Sequence, residues 1–170
     1  MKKVVITGPE SSGKSTLSKH LSESLFTPHV REYAREYIAS LDRAYNKDDL
    51  TQIAKGQMDL EEDIICQTPS YLICDTDLLT IKIWSEYKYG SCAPEIINLL
   101  MANLPDLYLL ASPGFPWEED SQRESPDNRD ALFLVYKAEI LKLGVPYVIL
   151  SGTAPERLEK AMEIFSNYFN

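Results

Sequence analysis

Three short stretches carry residues whose types and spacing could do chemistry. Gly8-Pro9-Glu10-Ser11-Ser12-Gly13-Lys14-Ser15 fits G-x-x-x-x-G-K-[ST]. Its two glycines permit a tight turn in which successive N–H groups face one anion, and the helix that follows adds its unpaired N–H groups and dipole. In such a loop Lys14 reaches the β- and γ-phosphates and the Ser15 hydroxyl can ligate Mg²⁺. Residues 8–16, ending at Thr16, are therefore the expected site of a nucleoside triphosphate. Asp75 ends the apolar run Tyr71-Leu72-Ile73-Cys74, a position from which a carboxylate can hold Mg²⁺ directly or through water. Asp77 lies two residues on and either faces an acceptor substrate or caps the next helix. Glu32 closes the run Pro28-His29-Val30-Arg31; a carboxylate there could orient a hydroxyl nucleophile and take its proton, with Asp75 as the rival base. Arg35 and Glu36 follow within a helical turn, either at the substrate or as an exposed Glu–Arg pair.

Residues 112–129 differ from the rest of the chain. Pro113, Pro116 and Pro126, a cluster of acids and little periodicity make a long connection of the kind that serves as an active-site lid. Arg123 and Arg129 could be carried over the phosphates when such a lid closes, stabilising developing charge and excluding water. Solvated surface charges would look the same. Asp120 sits in the same segment, and Trp117 either anchors it or stacks on a ring of the ligand.

These residues need a scaffold that brings them together. Lys3-Val4-Val5-Ile6-Thr7, Pro28-His29-Val30-Arg31, Tyr71-Leu72-Ile73-Cys74, Leu107-Tyr108-Leu109-Leu110-Ala111 and Pro146-Tyr147-Val148-Ile149-Leu150 are short apolar runs suited to buried strands. Between them, helical spacing recurs: Leu17, Leu21 and Leu25; Tyr33, Tyr37 and Leu41; Leu50, Ile53 and Ala54; Leu78, Ile81 and Trp84; Ile97 and Leu100; Phe133, Tyr136 and Ile140. Asp48 or Asp49 is the expected cap of the third helix, Gly144 the expected end of the sixth, and Thr153-Ala154-Pro155-Glu156 the capping box of the last. Alternating strands and helices predict an α/β domain with a parallel sheet covered on both faces, here one domain over residues 1–170. Ligands of such sheets sit beyond the carboxyl ends of the strands, where residues 8–15, Glu32, Asp75 and Asp77 all fall.

Composition narrows the function. A net charge of −9 argues against a nucleic-acid groove, which needs a basic face, but leaves room for a local phosphate site. The three cysteines form no C-x-x-C pair and there are only two histidines, so a zinc site is not expected. Reduced thiols fit a cytoplasmic protein. The apolar run after Met1-Lys2-Lys3 stops at Thr7, too soon for a signal peptide, and no run is long enough to span a membrane. Asn46-Lys47-Asp48-Asp49 matches the guanine-reading N-K-x-D, yet it precedes the Asp75 strand and lies between helices, so a helix cap is the better account.

Gly8 to Ser15, Arg31-Glu32-Tyr33-Ala34-Arg35-Glu36-Tyr37 and Asp75-Thr76-Asp77 together resemble the kinase domain of the bifunctional NadR proteins, the ribosylnicotinamide kinases, and the wider NadR-like P-loop ATPases. Asp120 with Arg123 is similar to the lid pair of that family. The resemblance implies a P-loop three-layer sandwich with strand order 2-3-1-4-5 and a lid. It also implies ATP- and Mg²⁺-dependent phosphorylation of the 5′-hydroxyl of nicotinamide riboside, giving nicotinamide mononucleotide. Lys14, Glu32, Asp75 and Arg123 would then be catalytic; Glu32, Arg35, Glu36, Asp77 and Asp120 would meet the acceptor; residues 8–16 and Arg129 would hold ATP; Ser15 and Asp75 would hold the metal. The chain starts directly at the kinase strand, so the adenylyl transfer of those bifunctional proteins is not expected. Two alternatives stay open from sequence: a kinase of another nucleoside or small hydroxyl compound, and an ATP-binding regulatory protein.

Overall fold

The structure is a computed structural model, described here for residues 1–67, 69–116 and 127–169. Five strands, β1 (Lys2–Thr7), β2 (His29–Val30), β3 (Tyr71–Asp75), β4 (Leu107–Ala111) and β5 (Tyr147–Leu150), form one parallel sheet. Its order is β2-β3-β1-β4-β5, the order that the resemblance implies. Among the described residues seven helices connect and cover it: α1 (Lys14–Ser24), α2 (Tyr33–Ala39), α3 (Lys47–Ile65), α4 (Leu78–Tyr89), α5 (Pro94–Ala102), α6 (Arg129–Leu143) and α7 (Ala154–Tyr168).

Strand side chains alternate between two cores. Val4, Ile6, Ile73, Leu107 and Leu109 pack with Leu17 and Leu21 of α1 and with Ala161 and Phe165 of α7. Val5, Leu72, Cys74, Tyr108 and Leu110 pack on the other face with α2 to α6. Burial on both faces is why these strands read as continuous apolar runs instead of alternating ones. Among the described residues no helix is long and apolar enough to cross a membrane.

Two local expectations change. The second strand is only His29–Val30, at the sheet edge, and the chain leaves it before Glu32, which becomes the N-cap of α2. The cap of α3 is Asn46, not Asp48 or Asp49. The Asn46 side chain accepts from the N–H groups of Asp48 (2.8 Å) and Asp49 (3.3 Å), and Asp49 accepts in return from the Asn46 N–H at 2.7 Å. The N-K-x-D look-alike is thus a capping box, as its position between helices implied. Arg43 holds the Asp49 carboxylate at 2.7 and 2.8 Å, and this bond, with those from Asn46 and Tyr37, keeps its pKa well below the usual range.

Gly56, inside α3, inverts a general rule. Replacing a mid-helix glycine with alanine ordinarily gains about 1 kcal/mol. Here a Cβ would stand 2.1 Å from the Tyr33 ring, next in sequence to Glu32. Gly56→Ala is therefore expected to lower the thermal midpoint by several degrees, on the order of 1–3 kcal/mol of overpacking, instead of raising it. Thermal unfolding by circular dichroism checks this.

Candidate functional site

The glycine-rich loop joins β1 to α1 where the sheet ends. Gly8 passes so close to β4 that a Cβ would lie 2.5 Å from the Ala111 carbonyl oxygen. Gly13, at φ 75°, takes the left-handed conformation that starts α1. Inside the turn the Ser12 hydroxyl and the Lys14 ammonium both donate to the Pro9 carbonyl at 2.7 Å. Burial lowers the Lys14 pKa, against the charges of Glu32, Asp75 and Glu10, which raise it.

Asp75 is the last residue of β3, aligned with Ile6 of β1, and is 4% exposed. Burial raises its pKa, against the Ser15 hydroxyl, Lys14 and Arg35, which lower it, and the buried Oδ1 has no hydrogen-bond partner among the described residues. Beyond it the chain turns sharply, with Thr76 at φ 67° and its N–H bonded to Ile6 O at 3.0 Å. A β-branched residue in that region is an outlier held by its surroundings. The hold comes from Asp77, whose two carboxylate oxygens accept from the Leu79 N–H (3.1 Å) and the Tyr108 hydroxyl (2.6 Å). Asp77 is 1% exposed. The structure makes it the cap of α4, one of the two roles the sequence left open: Tyr108, on β4 two strands away across β1, draws it inward.

Glu32 faces Asp75 from the adjacent strand end. Burial raises its pKa, the Asp75 charge raises it further, and Lys14 and Arg35 oppose both. Arg35 Nε donates to Glu32 Oε2 at 3.0 Å. A residue of no sequence-level signal holds the backbone here. Gln57 of α3, 2% exposed, accepts from the Tyr33 N–H at 2.9 Å and donates to the Arg31 carbonyl at 3.3 Å, bracketing Glu32.

Two clefts open on either side of the glycine-rich loop. One is lined by Pro9, Glu10, Ile83, Trp84, Tyr87 and Tyr136. The other is lined by Ser11, Ser15, Thr16, His20, Phe115 and Arg157. Lys14, Glu32 and Arg35 belong to both, so the clefts meet at those three side chains. The loop is thereby divided. Gly8, Pro9 and Glu10 face the aromatic cleft, whereas Ser11, Gly13, Ser15 and Thr16 face the other. The Ser12 side chain is buried inside the turn. Trp84 is fixed by donating from Nε1 to the Tyr45 hydroxyl at 2.9 Å.

The remaining expected residues separate. Glu36 lines neither cleft; it is exposed and pairs with Arg31 at 3.5 Å, the surface Glu–Arg alternative. Arg129 opens α6 and donates to the carbonyls of Phe115 (2.8 Å) and Ser11 (3.5 Å), joining the base of the 112–129 segment to the loop. Asp120, Arg123 and Trp117 lie outside the described residues. Arg157 was not expected from sequence: it is one arginine in an ordinary charged helix.

A phosphate cradle between β1 and α1, at the head of a parallel sheet ordered 2-3-1-4-5, defines a P-loop kinase fold. A protein-family model described as an AAA domain matches residues 3–157. The chain belongs to that family, and within it this is a NadR-like P-loop kinase domain. It is 30% identical over 124 residues to the trifunctional NAD biosynthesis/regulator protein NadR of Salmonella typhimurium, and equally to that of Escherichia coli. The match covers 71% of this chain and 30% of each relative, so the chain corresponds to under a third of their length. A crystal structure of NadR protein in complex with NR superposes with a TM-score of 0.78 at 23% identity, covering 98% of this chain and 51% of that one. Thymidylate kinase from Ehrlichia chaffeensis superposes at 0.68 with 14% identity, over 96% of this chain and 98% of that one.

Proposed function

We propose that this domain transfers the γ-phosphoryl group of ATP to the 5′-hydroxyl of nicotinamide riboside, giving nicotinamide mononucleotide. The observation that carries the reading is the meeting of two clefts at Lys14, Glu32 and Arg35, beside Asp75. A donor in one cleft and an acceptor in the other would bring their reacting groups to that junction. The loop amides and Lys14 hold the triphosphate. Glu32 orients the hydroxyl and accepts its proton as the oxygen attacks phosphorus. Lys14 and Arg35 then offset the charge spread over the transferring group. Residues 1–170 act as one kinase domain in this reading, with 112–129 as its lid, Arg123 and Arg129 on the donor side and Asp120 toward the acceptor.

The residues present fit a magnesium ion. The Ser15 hydroxyl and the Asp75 carboxylate stand together, and Asp75 Oδ1 has a lone pair with no partner among the described residues. Ser15 and Asp75 would hold Mg²⁺ with phosphate oxygens and water, a shell that needs no cluster of protein carboxylates. When bound, the ion would neutralise phosphate charge.

The acceptor side supports nicotinamide riboside through its chemistry. A pyridinium ring is flat and positively charged, and the cleft offers Trp84, Tyr87 and Tyr136 faces with Glu10 and Glu32 nearby. Trp84→Ala is expected to raise KM for nicotinamide riboside about tenfold with kcat within about threefold, the size of one lost stacking contact. Initial-rate kinetics measure both. The test of the whole reading is product formation from purified protein, Mg-ATP and nicotinamide riboside, followed by chromatography. No mononucleotide above background would overturn the acceptor assignment. Phosphorylation of neutral nucleosides in a parallel panel would favour a kinase of another nucleoside, since an aromatic cleft also takes uncharged bases.

A further inference from the structure

Arg157, the fourth residue of α7, is 2% exposed, and among the described residues no carboxylate pairs with it. A buried cation without an acid is expensive and calls for other partners. Arg157 finds them in three separate segments around the donor cleft. Its Nη1 donates to the Ser12 carbonyl in the glycine-rich loop at 2.9 Å. Its Nε donates to the Gly152 carbonyl, between β5 and α7, at 2.8 Å. Its guanidinium lies 4.6 Å from the centre of the Phe115 ring, just beyond β4. That ring in turn rests on the loop: a Cβ on Gly13 would come within 2.9 Å of it. Nη2 is buried beside Gly114, with no hydrogen-bond partner among the described residues.

The bond to Ser12 has a geometric consequence. In a planar trans peptide the C=O of one residue and the N–H of the next point in opposite directions. Drawing the Ser12 carbonyl back toward α7 therefore turns the Gly13 N–H the other way. Gly13 is one of the loop residues lining the donor cleft. We propose that Arg157 is a positioning residue of the donor site: it orients the Ser12–Gly13 peptide so that the Gly13 amide faces the triphosphate, and it clamps Phe115 as the opposing wall. This inference rests on the proposed reading of that cleft as the ATP site. It adds a function for a residue that touches no reacting atom.

The experiment measures binding of Mg-AMP-PNP and, separately, of nicotinamide riboside by calorimetry, on the parent chain and on folded Arg157→Met and Arg157→Lys. Arg157→Met is expected to weaken AMP-PNP binding about tenfold or more, the effect of losing charged hydrogen bonds, with nicotinamide riboside binding within about twofold of the parent. Arg157→Lys, which keeps the charge and can make one of the bonds, should fall between. In kinetics the same split appears as a raised KM for ATP at unchanged KM for the acceptor. AMP-PNP binding within about twofold of the parent in folded Arg157→Met, or an equal loss for both ligands, would overturn the inference while leaving the ATP site in place. Failure of both variants to fold would also overturn it, making Arg157 a strut of the fold. A parent chain that binds no AMP-PNP would take down the ATP-site reading, and this one with it.

Discussion

Lys14→Ala is expected to lower kcat by on the order of 10³-fold, the loss seen when a charge aimed at a transferring phosphoryl group is removed from a water-poor site. Lys14 is the one cation within the glycine-rich loop, and it lies at the junction of both clefts. Its ammonium donates to the Pro9 carbonyl at 2.7 Å, so the side chain is already folded back along the loop toward the cradle. Removing it takes away one exchangeable hydrogen bond and no apolar packing of the two cores. The thermal midpoint should therefore stay within a few degrees of the parent while turnover collapses. Lys14→Arg should restore little, because a planar fork cannot occupy the space of a compact ammonium. Burial places the Lys14 pKa below its ordinary 10.5, and only the protonated form is a cation. Affinity for a phosphate ligand should accordingly weaken as pH rises through that lowered value. Steady-state rates on the folded variant decide the matter, and near-parent turnover would remove the loop from the chemistry.

Glu32→Gln carries the second large effect, a fall in kcat of about 10²–10³ with KM for the acceptor changed by less than about threefold, as expected for loss of a general base. The pH dependence separates a base from a merely polar wall. Burial and the neighbouring Asp75 charge both raise the Glu32 pKa above its ordinary 4.5, so the protonated acid persists to higher pH than usual. A base must be ionised. Parent activity should thus climb as pH rises through the raised value, with an acid limb above 4.5. Glutamine removes that limb along with most of the rate. Asp75 is the competing base, and Asp75→Asn tells the two apart: its defect should appear in the Mg²⁺ concentration needed for half-activity. Glu32→Gln retaining more than about a third of parent kcat would transfer the role to Asp75.

The two acids influence each other because the edge strand and its neighbour end side by side. Val30 aligns with Cys74, so the residues just past those positions converge at the tip of the sheet. Each carboxylate raises the electrostatic cost of ionising the other, a strain that a cation relieves. The same tip holds the left-handed Thr76, which Asp77 and Tyr108 secure from behind. Asp77, which the sequence left between a substrate contact and a helix cap, is in the folded protein part of the brace behind Asp75.

Local patterns in the chain determined the apolar runs that become strands, the helical periods between them, the phosphate loop and the location of Asp75 at a strand end, with Glu32 just past another. They were legible because short-range sterics and hydrophobic periodicity act within a dozen residues. The cap of α3 was narrowly misplaced for the same reason: Asn46, Asp48 and Asp49, within four positions, can each serve, and only the folded turn selects Asn46. Tertiary structure alone decided the division of the loop between two clefts, the inward turn of Asp77, the exposure of Glu36, and the parts taken by Gln57 and Arg157. Those outcomes depend on contacts such as Tyr108 with Asp77, Gln57 with the backbone around Glu32, and Arg157 with Ser12, which are 31, 24 to 26 and 145 residues apart. Such pairs leave no trace in spacing, because what joins them is the packing of the sheet and its helices.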